Sequence, residues 1–101
     1  MIQSFGDAAT EDVFNGRESS AARRLPRVIW PVIRRKLDMV NAAHALGDLR
    51  APPGNRLEAL KGKRAGWYSI RVNDQYRVTF RFMDGNAYEV LCEDYHQGGT
   101  L

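Results

Sequence analysis

Residues 66–96 read GWYSIRVNDQYRVTFRFMDGNAYEVLCEDYH, and this stretch decides the fold. Apolar and aromatic residues alternate in it with polar or charged ones, which is the two-residue period of a half-buried strand. Asn73-Asp74 and Asp84-Gly85-Asn86 interrupt the alternation with residues typical of hairpin turns. The pattern therefore predicts three consecutive antiparallel strands, at 66–72, 76–83 and 87–95.

The N-terminal half carries helical signals. Gly6-Asp7 offers a cap for a short helix at 8–14. A longer helix is predicted at 26–43, because apolar residues recur there at helical spacing, with Arg34, Arg35 and Lys36 on its opposite face. Pro31 fits only in the first turn of a helix, which would move the start to about Trp30.

Two further segments are strand candidates. Residues 2–5 are short and apolar, and residues 56–60 follow a turn-rich connector that contains Pro52, Pro53 and Gly54. The whole chain, 1–101, is then a single α+β domain. We expect two N-terminal helices packed on one face of a small, mostly antiparallel sheet of four to five strands.

Composition excludes several classes of function. No glycine-rich phosphate loop is present, and no Cys/His pair has the spacing of a zinc site, so we predict neither a metal nor a cofactor. Cys92 is the one cysteine, and its apolar strand context predicts a core residue and a reducing cytoplasm. No apolar run is long enough for a membrane span, so no membrane association is expected.

Positive charge gathers on one predicted surface. The net charge is +3, and the excess lies in residues 17–36 and 56–81. Strand alternation places Arg71, Arg77 and Arg81 on the polar face of the sheet, with Lys61, Lys63, Arg64 and Trp67 at its rim. Cations beside an aromatic ring suit RNA, whose backbone is held by charge and whose bases stack. Two plainer interpretations stay open: solvated surface charge, and a tryptophan that only shields the sheet.

The C-terminal strand ends in Asp94, Tyr95 and His96, three side chains that can accept or donate protons. RNA cleavage by its own 2′-hydroxyl needs a base on that hydroxyl, a cation on the phosphate oxygens and an acid on the departing 5′-oxygen. These three residues and the arginines supply all three types of group. A solvated histidine in a frayed tail is the competing explanation for His96.

Taken together, three segments resemble HigB-type toxins, the plasmid-maintenance killer proteins of the RelE/ParE superfamily. They are GNRLEALKG at 54–62, GWYSIRVNDQYRVTF at 66–80 and EDYH at 93–96. The resemblance covers nearly the whole chain and agrees with the predicted order of strand, two helices and strands.

The resemblance implies a ribosome-dependent endoribonuclease that cuts messenger RNA in the A site of the 30S subunit. It also implies a cytoplasmic protein that a HigA-type helix-turn-helix antitoxin silences. By motif, Asp94, Tyr95 and His96 match the terminal catalytic cluster, Arg77 matches the phosphate-stabilising arginine, and Lys61 matches a basic residue of the active surface. Some family members have a histidine where this chain has Glu58, so Glu58 is a further candidate for the general base.

Two alternative functions use the same features. A ParE-like inhibitor of DNA gyrase has the same fold without nuclease chemistry, and a non-catalytic RNA-binding module needs only the basic face. The Asp94-Tyr95-His96 ending favours the nuclease over both alternatives.

Overall fold

The computed structural model describes residues 1–95, so the predicted role of His96 lies outside the described residues. Two α-helices precede four strands along the chain, and short 3-10 turns join them. The elements are α1 (Ala8–Phe14), α2 (Trp30–Ala42), β1 (Glu58–Ala59), β2 (Trp67–Arg71), β3 (Tyr76–Met83) and β4 (Asn86–Asp94). Neither helix is long and apolar enough to cross a membrane, within the described range.

The four strands form one antiparallel sheet in the order β1-β2-β3-β4. Both helices pack on one face of it, where the side chains of α2 meet Ile70, Val78 and Phe80 in the core. The β3–β4 turn places Asp84 and Gly85 at positive φ, as a tight two-residue hairpin requires. The predicted α+β architecture is confirmed.

The N-terminal segment is less regular than predicted. Instead of a strand at 2–5, the chain makes two isolated parallel bridges to β4, Ile2 to Ala87 and Phe5 to Val90. Between these bridges β4 bulges, with Glu89 at a φ of 52° and a shift in its register with β3. A bulge interrupts the regular ladder, and here the Ser4 hydroxyl and carbonyl accept from the Glu89 and Val90 amides at 2.9 and 3.1 Å.

Helix α2 starts at Trp30, and Pro31 lies in its first turn, as the proline predicted. A 3-10 turn at Arg27–Ile29 replaces the predicted α-helical start at 26. One prediction for this helix was wrong. Lys36 is only 8% exposed and points into the protein, because it has a polar partner there, described below.

Strand β1 is shorter than the predicted 56–60. Arg56 adopts the left-handed conformation, with a φ of 45°, which breaks the extended chain immediately before the strand. On the other side, the Leu60 amide still donates to the Trp67 carbonyl at 2.8 Å. The strand therefore shrinks to Glu58–Ala59 while its pairing with β2 continues for one more hydrogen bond.

A buried hydroxyl joins α1 to the outer edge of β4. The Cys92 amide faces away from β3 and donates to the Thr10 Oγ1 at 2.8 Å, and Thr10 is fully buried. The N-terminal segment and α1 together cover the β4 edge, which would otherwise offer unpaired amides to another chain.

We expect Thr10→Val to destabilise the fold by about 1–3 kcal/mol, because it keeps the shape but leaves the Cys92 amide buried without an acceptor. Urea denaturation monitored by tryptophan fluorescence measures this loss. Thr10→Ser is the matched control, since it keeps the hydroxyl and loses only a methyl group. Equal stability of Thr10→Val and the wild type would contradict the role of this hydrogen bond.

Cys92 is a core residue, as predicted, and burial raises the pKa of its thiol to about 12, with Asp7 and Glu93 adding to the shift. We therefore expect the native thiol to react with Ellman's reagent at pH 8 at least roughly 100-fold more slowly than the urea-unfolded thiol, since labelling requires opening of the core. An added surface thiol, Ser20→Cys, is the control and should label at once. Rapid labelling of Cys92 in the native protein would contradict this assignment.

Candidate active site

A polar pocket of about 220 Å³ lies on the face of the sheet opposite the helices, beside the β2–β3 turn. Pairing in register puts Arg71 of β2 directly across from Arg77 of β3, so both guanidinium groups reach this face. We call it the arginine pocket, and its lining residues are Arg56, Glu58, Arg71, Asn73, Asp74, Arg77 and Tyr95.

Arg77 is the fixed centre of the arginine pocket. Its Nε donates to the Ser69 Oγ at 2.8 Å, and its Nη2 donates to the Arg56 carbonyl at 2.5 Å. Burial lowers the pKa of Arg77, while the nearby Glu58 and Tyr95 act in the opposite direction. The Arg77 side chain points away from the apolar core, as predicted. It is nevertheless only 6% exposed, because other residues of the polar face cover it.

Arg71 is the more exposed of the two facing arginines, with 32% of its side chain accessible to solvent. It forms an ion pair with Asp74 in the β2–β3 turn, a contact between neighbours in sequence. An exposed pair of this kind contributes little stability, so the Arg71 guanidinium is available for exchange with an anionic ligand.

Two candidate proton-transfer groups flank Arg77. Glu58 stands opposite Ser69 in the β1–β2 register, and its charge acts on Arg77 directly. The Tyr95 ring lies 5.7 Å from the Arg77 guanidinium carbon, measured to the ring centroid, and its amide donates to the Gln75 carbonyl at 2.7 Å. The structure therefore brings Glu58, Arg71, Arg77 and Tyr95 into one pocket.

Asp94 does not line the arginine pocket. It stands opposite Tyr76, whereas Glu93 stands opposite Arg77, and successive side chains of a strand point to opposite faces. The Asp94 carboxylate instead accepts a hydrogen bond from the Gln75 Nε2 at 2.9 Å. Strand alternation therefore separates the Asp94 side chain from that of Tyr95, and the catalytic role of Asp94 stays a prediction.

The remaining predicted RNA-binding residues lie outside the arginine pocket. Arg81 is four residues along β3 from Arg77, roughly 13 Å away, and forms an ion pair with Glu89 at 3.7 Å. The three arginines therefore share a face without holding one phosphate together. Lys61 and Lys63 are exposed in the β1–β2 connection.

Trp67 has one ring face occupied. The Arg64 guanidinium carbon lies 4.8 Å from the centroid of the Trp67 ring, and Arg64 also forms an ion pair with Glu93 at 2.9 Å. Glu93 accepts a further hydrogen bond from the buried Thr79 hydroxyl. Arg64 and Trp67 thus close part of the polar face, which sequence alternation had predicted to be open.

A buried polar network behind the pocket gave no recognisable sequence signal. The Lys36 Nζ donates to the Asn55 Oδ1 at 2.6 Å, and Asn55, fully buried, donates from Nδ2 to the carbonyls of Leu49 and Ala51 at 3.2 and 3.3 Å. Burial lowers the pKa of Lys36, with Arg35 and Arg71 adding to the shift.

This network holds the loop that ends at Arg56. Asn55 precedes Arg56 directly, and the left-handed conformation of Arg56 turns its carbonyl toward Arg77. The position of the Arg77 guanidinium therefore depends on a lysine and an asparagine that lie outside the pocket. In the sequence, Asn55 had indicated only a turn.

No metal site accompanies these residues. Residues 1–95 contain no group of three or more histidine, cysteine, aspartate or glutamate side chains arranged to hold a metal ion.

We expect Lys36→Met and Asn55→Ala to be strongly coupled in stability. Each single change leaves a buried polar partner unpaired, at a cost of about 1–3 kcal/mol or more where the orphan is the charged lysine. The double variant should therefore lose less than the two single losses combined, by about 0.5–3 kcal/mol in a double-mutant cycle measured by urea denaturation. Simple additivity would show that the hydrogen bond contributes nothing.

Comparison with known proteins agrees with the resemblance seen in the sequence. A family profile described as the RelE-like toxin of the type II toxin–antitoxin system HigB matches residues 3–96. The chain is 52% identical to Toxin HigB-1 of Vibrio cholerae over 95 residues, which are 94% of this chain and 98% of that toxin. It is 33% identical to Endoribonuclease HigB of Proteus vulgaris over 96 residues, 95% of this chain and 100% of that protein.

Solved structures of other proteins have a similar fold. A chain of the YoeB-YefM complex from Staphylococcus aureus superposes with a TM-score of 0.59 at 16% identity, over 95% of this chain and 98% of that one. At this identity the likeness concerns the fold alone. The profile and the two sequence relatives show that the chain belongs to the HigB-like toxins, the RelE-like toxins of type II toxin–antitoxin systems.

Proposed function

We propose that this HigB-like endoribonuclease toxin cleaves messenger RNA on the ribosome, and that the arginine pocket holds the scissile phosphate. The observation that carries the proposal is the placement of Arg71 and Arg77 across from each other in one pocket with Glu58 and Tyr95. A pair of facing cations with two proton-transfer groups beside them suits a phosphate whose charge grows during cleavage.

Arg77 is suited to stabilise that growing charge. Ser69 and the Arg56 carbonyl hold the Nε and Nη2 sides of its guanidinium, while Nη1 donates to no residue within 1–95. A guanidinium oriented before substrate arrives pays no reorganisation cost during the reaction, and its burial strengthens the interaction with an anion. Arg71, held only by an exposed ion pair, adds a second cation on the other side.

Cleavage through the 2′-hydroxyl requires no metal. A base removes the 2′-hydroxyl proton, the 2′-oxygen attacks the phosphorus, and the 5′-oxygen leaves with a proton from an acid. Glu58 is the better-placed base, because it lies beside Arg77 whereas Asp94 lies on the other face. We propose Tyr95 as the acid within residues 1–95, while His96, which follows it directly, stays a predicted proton-transfer group without an assigned role.

The wider basic face supports RNA binding. Lys61, Lys63, Arg64 and Arg81 lie outside the pocket, with Trp67 among them, and can contact phosphates on either side of the cleaved bond. A pocket of about 220 Å³ encloses little more than a phosphate and its sugar edges. It can hold a strand but has few contacts with which to align one, so we assign that alignment to the ribosomal A site of the 30S subunit.

The partner and compartment follow from this function. A type II toxin is neutralised by a protein, and we propose a HigA-type helix-turn-helix antitoxin for this chain. Because the substrate is translated messenger RNA, we place the toxin in the cytoplasm.

We expect Arg77→Lys to lower the rate of messenger RNA cleavage by about 10²–10³-fold, since lysine keeps the charge but not the planar arrangement of donors. Cleavage is measured by mapping RNA ends in a reconstituted translation system. Arg17→Lys, an exposed arginine distant from the pocket, is the matched control and should cleave at the wild-type rate.

Arg77 is buried, so its variant needs a check on folding. Thermal denaturation is measured alongside, and Tyr95→Phe provides a second variant that removes one hydroxyl without loss of a buried charge. If both variants are folded and cut at the wild-type rate, the arginine pocket is not the active site. Codon-periodic cleavage of naked RNA by the pure protein would contradict the dependence on the ribosome.

A further inference from the structure

A second cavity adjoins the arginine pocket and takes no part in the function proposed above. It has a volume of about 420 Å³, and we call it the apolar pocket. Its walls are formed mainly by Leu46, Pro53, Leu57 and Tyr68, with Arg50 and Arg56 beside them.

The two pockets meet at the start of β1. Glu58 faces the arginine pocket, whereas its neighbours Leu57 and Ala59 line the apolar pocket, because alternate residues of the strand point to opposite sides. Arg56, the residue with left-handed backbone conformation, lines both. The two pockets therefore lie on opposite sides of the edge strand β1 and share the Arg56 side chain.

We propose that the apolar pocket binds the base of the nucleotide next to the scissile phosphate, with Arg56 contacting the phosphate between the two pockets. The proposal rests on the proposed function, since it takes the arginine pocket as the place of the scissile phosphate. It adds a second subsite to the active surface and assigns it to a nucleobase of single-stranded RNA.

Three features favour a nucleobase as the occupant. The Tyr68 ring and the two guanidinium groups offer planar surfaces for stacking, and the volume exceeds that of one base. The charges of Arg50 and Arg56 complement the phosphates that flank any base in an RNA strand. Most important, Arg56 lines both this cavity and the arginine pocket, so the two sites meet at one residue at the edge of the sheet.

The lining also predicts how the subsite behaves. Leucine, proline and alanine side chains have no donors or acceptors for the edge of a base, so recognition rests on stacking and desolvation. We therefore expect the apolar pocket to contribute affinity for any base, with preference for the larger purines, and to act on KM and not on kcat.

The test measures binding of a short RNA whose 2′-hydroxyls are methylated, which prevents cleavage, by fluorescence anisotropy. A second RNA lacks one base, next to the scissile position. Wild-type protein should bind the abasic RNA about 5- to 150-fold more weakly than the complete one, the range expected for loss of one stacked base.

A variant of the pocket should abolish this difference. Leu46→Glu places a carboxylate in the apolar pocket, and we expect it to bind both RNAs within twofold of each other. Ala45→Glu adds the same charge at the adjacent exposed residue, outside the lining, and should retain the wild-type difference. We call the ratio of the two dissociation constants, abasic RNA over complete RNA, the abasic penalty. An equal abasic penalty in Leu46→Glu and the wild type, or no penalty in either, would overturn the proposal.

Two further measurements separate the other outcomes. Arg50→Ser, with exposed Arg23→Ser as its control, changes the pocket without touching the core and should also reduce the abasic penalty. If Leu46→Glu weakens binding of the antitoxin but leaves both RNA affinities unchanged, the pocket holds an acidic and apolar peptide and the proposal is wrong.

The nuclease function and the base subsite are tested by two different experiments. Cleavage on ribosomes by the wild type tests the reaction, whereas the abasic penalty tests the subsite with an RNA that cannot be cut. A protein that shows the penalty but cleaves nothing would retain the base subsite and lose the nuclease assignment. A protein that cleaves with no abasic penalty would retain the nuclease and lose the subsite.

Discussion

The buried guanidinium of Arg77 organises the polar face of the sheet. It is 6% exposed, and it is held by the Ser69 hydroxyl and by the Arg56 carbonyl. A buried cation is tolerated only where its donors are satisfied and opposite charge is near, and the arrangement of β1, β2 and the loop before β1 meets that requirement. The same group that needs those partners for folding is the one placed to contact an anionic substrate.

This dual role explains why polar residues extend behind the pocket as well as around it. Lys36 and Asn55 lie beyond the reach of a substrate in the arginine pocket, yet they hold the backbone that presents a carbonyl to Arg77. Glycine or a simple turn before β1 would leave that carbonyl free to move. The site is therefore built in two layers, a pair of facing arginines and a buried hydrogen-bonded loop that positions one of them.

The strand geometry also separates the candidate catalytic side chains at the C-terminal end of β4. Asp94 and Tyr95 are adjacent in sequence and lie on opposite faces, so Tyr95 joins Arg77 while Asp94 bonds to Gln75. Glu58, from a strand 36 positions earlier, takes the place beside Arg77. A carboxylate is thus retained in the pocket, and it comes from the edge strand of the sheet.

Sequence patterns were sufficient to predict the fold class, the three long strands, a proline in the first turn of α2, and the face that carries Arg71 and Arg77. Those features follow from local periodicity and turn chemistry, which are properties of neighbouring residues. Three features appear only in the folded chain: Lys36 is buried, Arg81 and Asp94 lie outside the arginine pocket, and Arg56 lines two cavities. These depend on strand register, a bulge and one left-handed residue, which arise from contacts between segments distant in sequence.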